Sequence, residues 1–152
     1  MANRDGISNK KFAALIPPAA AVTDNTATVS NIIDTLGYDS VSFILITGTL
    51  SDADATFAVT CDEGDVSNLS DASAVAAADL VTQTSGTAAL TAAGYTFADD
   101  GEVRCFGYVG GKRYVRVTVT PSANTGNHFV AGIAMLGPGR SPAVNQLSPG
   151  QS

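Results

Sequence analysis

The sequence predicts an all-β fold, an antiparallel sandwich or barrel. Three observations carry that expectation: short apolar stretches alternate with period two, glycine-rich turns separate them, and no βαβ alternation is present. The chain has 152 residues, the size of one compact domain that buries about 70% of the surface its unfolded form exposes.

Residues 1–24 read as an extended N-terminal arm. Pro17 and Pro18 interrupt the apolar stretch 12–22 and fix polyproline-like geometry. That interruption, together with Asp5 among Arg4, Lys10 and Lys11, weighs against a secretory leader, although Ala19, Ala20 and Ala21 imitate a cleavage site. An arm carrying apolar groups must bury them on its own domain or on a partner. Phe12, Leu15, Ile16, Pro17 and Pro18 are therefore candidate contact residues.

Residues 25–137 hold the strands of the sandwich. An early strand is expected within 26–33. Residues 40–49 begin as an alternation and become a continuous apolar run at Phe43, Ile44, Leu45 and Ile46, the pattern of a central strand covered on both faces. In 55–62, Phe57, Val59 and Cys61 alternate with Ala58, Thr60 and Asp62, so the odd-numbered face points inward. The alanine-rich stretch 71–81 lacks a wide apolar stripe and reads as a long connection.

Residues 103–120 read as a hairpin turning through Gly110 and Gly111. A two-residue turn would set Arg104 beside Val117 on the core face, whereas a three-residue loop places Val103, Cys105, Gly107 and Val109 on the side of Val115, Val117 and Val119. The second register avoids burying a charge without an evident partner. It turns Phe106, Tyr108, Tyr114 and Arg116 outward, as an aromatic contact surface or as cross-strand pairs that steady the hairpin. In 128–136, Phe129, Ala131, Ile133 and Met135 alternate with smaller residues. Gly137 and Pro138 end that strand, and 138–152 is an irregular tail rich in Pro, Gly and Ser.

Composition excludes several classes of function. Charged residues are 14% of the chain, there is no tryptophan, and His128 is the single histidine. That scarcity of titratable groups argues against an enzyme. No phosphate-cradling glycine loop precedes a helix, and no cofactor is expected. A net charge of −6 is the wrong sign for a nucleic-acid backbone, and no apolar run is long enough for a spanning helix. Asp52, Asp54, Asp62, Glu63, Asp65 and Asp71 could offer oxygen ligands to calcium, but their spacing fits no EF-hand loop and solvated loop carboxylates are the simpler reading. Cys61 and Cys105 lack the spacing of a zinc or redox motif and read as buried thiols on core faces, with a disulfide between them conceivable. His128 reads as a polar residue at a strand edge. A glycan site would have to rest on Tyr38, Tyr95, Tyr108 or Tyr114.

Three segments together carry a resemblance. They are Ile33-Asp34-Thr35-Leu36-Gly37-Tyr38-Asp39-Ser40-Val41, the strand ending Thr47-Gly48-Thr49-Leu50, and Gly107-Tyr108-Val109-Gly110-Gly111-Lys112-Arg113-Tyr114-Val115-Arg116-Val117. With the late strand 130–137 and the Pro-containing tail, the chain from about residue 30 to 143 resembles small head proteins of tailed bacteriophages, the decoration or cement proteins. The resemblance implies a jelly-roll-like antiparallel β-sandwich and no catalytic residues. It also implies a homo-oligomer, dimer or trimer, at capsid symmetry axes. Its partner would be the major capsid protein, bound on the outer surface of a virion assembled in the host cytoplasm. A tail or connector component, or a secreted binding module, are the alternatives.

Overall fold

The computed structural model describes residues 7, 9–82 and 89–139. In chain order the strands are β1 (Lys11–Ile16), β2 (Thr28–Val29), β3 (Ile33–Asp34), β4 (Val41–Leu50), β5 (Thr56–Gly64), β6 (Ser73–Ala74), β7 (Leu80–Val81), β8 (Tyr95–Thr96), β9 (Val103–Tyr108), β10 (Tyr114–Ser122) and β11 (His128–Leu136). A 3-10 turn at Ala77–Asp79 precedes β7, and a short helix α1 (Ala89–Ala93) precedes β8.

These strands form an antiparallel sandwich. A five-stranded sheet has the order β1-β11-β4-β9-β7, and a six-stranded sheet has β2-β10-β5-β6, with β3 also on β10 and β8 also on β5. The inner faces meet in one core. From β10, Val115, Val117 and Val119 are fully buried, and Val117 and Val119 pair across the ladder with Cys61 and Val59 of β5. From the other sheet come Phe43 and Leu45 of β4, Phe106 and Tyr108 of β9, and Ala134 and Leu136 of β11. β-Branched and aromatic side chains dominate these strands because they pack well on a pleated, half-buried surface.

The expected arm is in part a strand of the sandwich. β1 pairs with β11, and a bulge between Ala14 and Ile16 lets the consecutive residues Leu15 and Ile16 both turn inward. Burying two such side chains contributes about 1.5–3 kcal/mol each, which together with the ladder to β11 offsets the entropy lost on ordering the strand. Val22 then exchanges backbone hydrogen bonds with His128 at 3.0 and 2.9 Å. The edges of the five-stranded sheet are protected. Asn31 donates from its backbone to Leu15 O (2.8 Å) and from Nδ2 to Ala14 O (3.0 Å) along the outer side of β1, while β7 at the opposite edge has two residues.

The hairpin expected over 103–120 does not form. β9 pairs with β4 and β7 in one sheet, β10 with β5, β2 and β3 in the other, so the Gly110-Gly111 segment carries the chain between sheets. The register built on that hairpin is reversed as well: Phe106 and Tyr108 are buried, whereas Val103 and Val109 are exposed and Cys105 is half-buried. Arg104 shares the inward parity of Phe106. It sits where the sandwich opens and pairs there with Asp99 (2.7 Å) and Glu102 (2.8 Å), so its charge is not buried alone. The early strand is split into β2 and β3, and the connection over 71–81 contains β6 and β7. Of the tail, Pro138 and Gly139 are described, and 140–152 lie outside the described residues.

Candidate functional site

The two outer faces of the sandwich differ in chemistry. On the six-stranded sheet the outward residues of β5 and β10 include Thr56, Thr60, Thr118 and Thr120, with Arg116 directly opposite Asp62 and joined to it at 3.2 Å. That is an ordinary solvated face.

The five-stranded sheet turns apolar groups outward. Its registers align them in cross-strand rows. One row runs Phe12, Met135, Ser42, Gly107; the next runs Ala14, Ile133, Ile44, Cys105; a third holds Ala131, Ile46 and Val103. Val81 flanks Gly107 on β7, and Phe129 lies over Gly48, where a Cβ would come within 2.8 Å of the phenylalanine. Among the described residues no Asp, Glu, Lys or Arg stands within these paired rows. Phe12 is 47% exposed, Ile46 and Ile133 41%, and Val103 62%. Six of the twelve large apolar side chains exposed among the described residues lie here, which makes the patch contiguous and not scattered. Between Ser42 and Gly107, whose side chains are small or absent, the face sinks into a depression of about 310 Å³ walled by Ile44, Met135, Val81 and Cys105.

Parity explains why the face is apolar. β11 sends its small residues inward: Gly132 and Ala134 are buried, and a Cβ on Gly132 would stand 3.0 Å from Leu45 Cδ2 and 3.2 Å from Leu15 Cδ2. The large neighbours on β1 and β4 meet over these gaps, so Phe129 and Ile133 are left to point outward. β4 is central in its sheet but is covered on one face, with Ile46 exposed on the other, contrary to the coverage its continuous apolar run predicts.

The residues singled out in the sequence do not assemble into one surface. Phe12 stands at the edge of the apolar face, and Pro17 and Pro18 are exposed beyond β1. Leu15, Ile16, Phe106 and Tyr108 are committed to the core. Tyr114 and Arg116 are half-buried on the opposite sheet, where the Arg113 guanidinium lies 4.9 Å from the Tyr114 ring. Tyr108 spans the sandwich: its hydroxyl donates to Glu63 Oε2 at 2.5 Å and accepts the Lys112 N–H at 2.9 Å, and burial raises its pKa. Sequence reasoning missed Ile46, Ile133, Phe129 and Val103 as surface groups, since alternation assigns the larger side chains of a strand to the core.

The carboxylates of the acidic cluster have local partners. Asp52 accepts hydrogen bonds from Thr125, Asp62 faces Arg116, Asp65 pairs with Lys112, and Asp71 accepts from the amides of Asp65 and Val66 at 2.8 and 3.2 Å. Among the described residues no three metal-capable side chains converge. Cys61 is buried and faces the core, whereas Cys105 faces outward from the other sheet, so the expectation of two thiols on core faces fails for Cys105. His128 is not a strand-edge group: it is fully buried, stacked on Phe57 with centroids 4.3 Å apart. A second concavity of about 290 Å³ at the end of the sandwich is lined by Tyr38, Gly110, Lys112 and Arg113, but Arg113 grips Asp34 at 2.8–2.9 Å and Lys112 is held by Asp65. No helix of the described residues is long and apolar enough to cross a membrane.

No protein-family model matches the sequence. No curated protein matches it either. Among solved structures, the PBSX exported protein XepA is similar with a TM-score of 0.52 and 17% identity, over 93% of this chain and 42% of that one. The chain thus spans less than half the length of XepA. The SPBc2 prophage-derived protein YomS aligns with a TM-score of 0.46 and 12% identity, over 83% of this chain and 92% of that one. Both neighbours are phage-derived, and what the chain shares with XepA is the fold.

Proposed function

We propose that the chain is a structural component of a phage particle, a decoration or cement protein that binds the outside of an icosahedral head through contact with the major capsid protein and steadies neighbouring capsomers. The observation that carries this reading is the uncharged outer face of the five-stranded sheet on an otherwise acidic body. A surface that combines exposed Phe12, Ile46 and Ile133 with no formal charge is adhesive towards protein. The net charge of −6 keeps the same body away from packaged DNA. The occurrence of the fold in a phage-derived protein supports the setting.

Binding in this role is multivalent: each copy makes a modest contact, and linkage through an oligomer raises the effective concentration of the next. The contact residues are Phe12 and its neighbours on the sheet, not a projecting arm, because Leu15 and Ile16 are spent on the core. The reading involves no catalytic step. Imaging of intact particles from the phage that carries this gene tests it. Many copies spread over the shell are expected. A single ring at one vertex would instead identify a tail or connector component, and absence from particles with recovery in the culture medium would identify an exported module.

A further inference from the structure

We propose that His128 is an acid-sensitive latch for residues 17–25: a proton on its ring frees this segment from the 124–128 turn while both sheets stay paired. The device is independent of what the outer face binds.

The segment has two anchors. Leu15 and Ile16 of β1 are buried just before it. At its far end Val22 exchanges two backbone hydrogen bonds with His128, Asn124 Nδ2 donates to Val22 O (3.3 Å) and Asp24 O (3.0 Å), and the Asn124 amide donates to Asn25 Oδ1 (2.9 Å). Among the described residues these are the hydrogen bonds that tie 17–25 to residues distant in sequence. Pro17, Pro18, Ala19 and Ala20, between the anchors, are exposed and bury little that would hold the segment once the turn lets go.

The buried ring accommodates one proton and not two. When neutral, its Nε2 pairs with the Tyr95 hydroxyl at 2.6 Å. When charged, Nε2–H is satisfied by turning that hydroxyl round, but Nδ1 has no partner. Asn124 Oδ1 is also buried without a partner, so the two atoms do not bond each other. No charge is placed to help. β5 presents Phe57 to the ring, β8 presents Tyr95, and β4 and the segment pair with His128 through Leu50 and Val22. The carboxylates on these flanks accept amides elsewhere: Asp100 from Leu50 (2.7 Å), Asp24 from Thr26 (2.8 Å) and Asp52 from Thr125 (2.6 Å). A charged ring is therefore better off in water.

The fold offers it a short way out. The register of β11 on β4 shifts between His128 and Val130, so the strand end lifts at that irregularity while the pairs from Val130 to Leu136 remain. Lifting it breaks both bonds to Val22.

Amide hydrogen exchange of the full chain at pH 8 and pH 5, corrected for intrinsic rates, tests this. An opening that hands water a histidine of ordinary pKa 6.5 becomes about thirty-fold more frequent at pH 5. The Val22 and His128 amides should gain that factor and keep it in low urea, as a local opening does, whereas the Val119 amide should stay the slower and follow urea as global unfolding does. His128→Phe should remove the gain at Val22. Asn124→Ala should speed Val22 exchange at both pH values and leave their ratio unchanged, which separates a weaker clasp from a lost latch. A wild-type Val22 amide with equal corrected exchange at both pH values overturns the proposal. So does one that opens only together with Val119, or an undiminished gain in folded His128→Phe.

Discussion

The Tyr95 hydroxyl lies 2.6 Å from Nε2 of His128 inside the sandwich, and Phe57 stacks on both rings. Nδ1 of the histidine has no hydrogen-bond partner. Burial lowers the His128 pKa from its ordinary 6.5, so the folded protein holds the ring neutral.

Acid should therefore loosen the fold through this one residue. Below pH 6.5 the unfolded chain takes up a proton at His128 that the folded chain resists, so stability falls as pH drops below that value. The slope is at most about 1.4 kcal/mol per pH unit. Urea unfolding between about pH 8 and about pH 5 should show it, and His128→Phe should flatten it. Tyr95→Phe leaves Nε2 unpaired as well and should cost about 1–3 kcal/mol near neutrality.

Asp52 supplies a second, lower transition. Its carboxylate shares a hydrogen bond with Asp54 and accepts the Thr125 amide at 2.6 Å and hydroxyl at 2.8 Å, in that order of effect, which brings its pKa down to about 2. Its stabilisation is present above 3.8, the value without these contacts, and is lost as pH falls towards about 2. Asp54, raised by the same shared bond, works in the opposite sense. Asp52→Ala should destabilise the protein at neutral pH, with the gap to wild type closing near pH 2. Thermal melts across that range measure it.

β1 is part of the folding unit. Leu15→Ala should cost about 2–5 kcal/mol in urea unfolding, because a fully buried side chain is removed from a packed junction. Gly132→Ala adds a methyl 3.0–3.2 Å from Leu45 and Leu15 and should cost about 1–3 kcal/mol. Deletion of residues 1–16 should abolish cooperative unfolding.

The two thiols should react at different rates. Burial, reinforced by the charges of Asp62 and Glu63, pushes Cys61 up to about 12, whereas Cys105 opens into the outer depression. Alkylation of native protein near pH 8 should give one adduct by mass spectrometry, mapped to Cys105, and denatured protein should give two. Equal native labelling would contradict the placement of Cys61.

The sandwich was legible in the sequence where strands alternate by size and polarity, as at Phe57, Val59 and Cys61 or along the valines of β10. It is illegible at β9, whose inward face depends on whether the strand pairs with β10 or with β4. The glycine pair at 110 and 111 reads equally well as a hairpin turn or as a crossing between sheets, and only the second sends Phe106 and Tyr108 inward. Arg104 could have given warning, since Asp99 and Glu102 lie close enough in sequence to pair with it. The apolar face was hidden by the same rule. Gly132 and Ala134 face the core because Leu15, Leu45 and Phe43 on neighbouring strands need the room, and that need is set across strands.

Asn31 along β1 and the two-residue β7 also decide how any assembly ends. Asn31 takes the Ala14 and Leu15 carbonyls and β7 offers only two residues, so a strand from another copy meets an interrupted ladder at either edge of that sheet. Side-by-side addition into ribbons is thus discouraged by the fold itself.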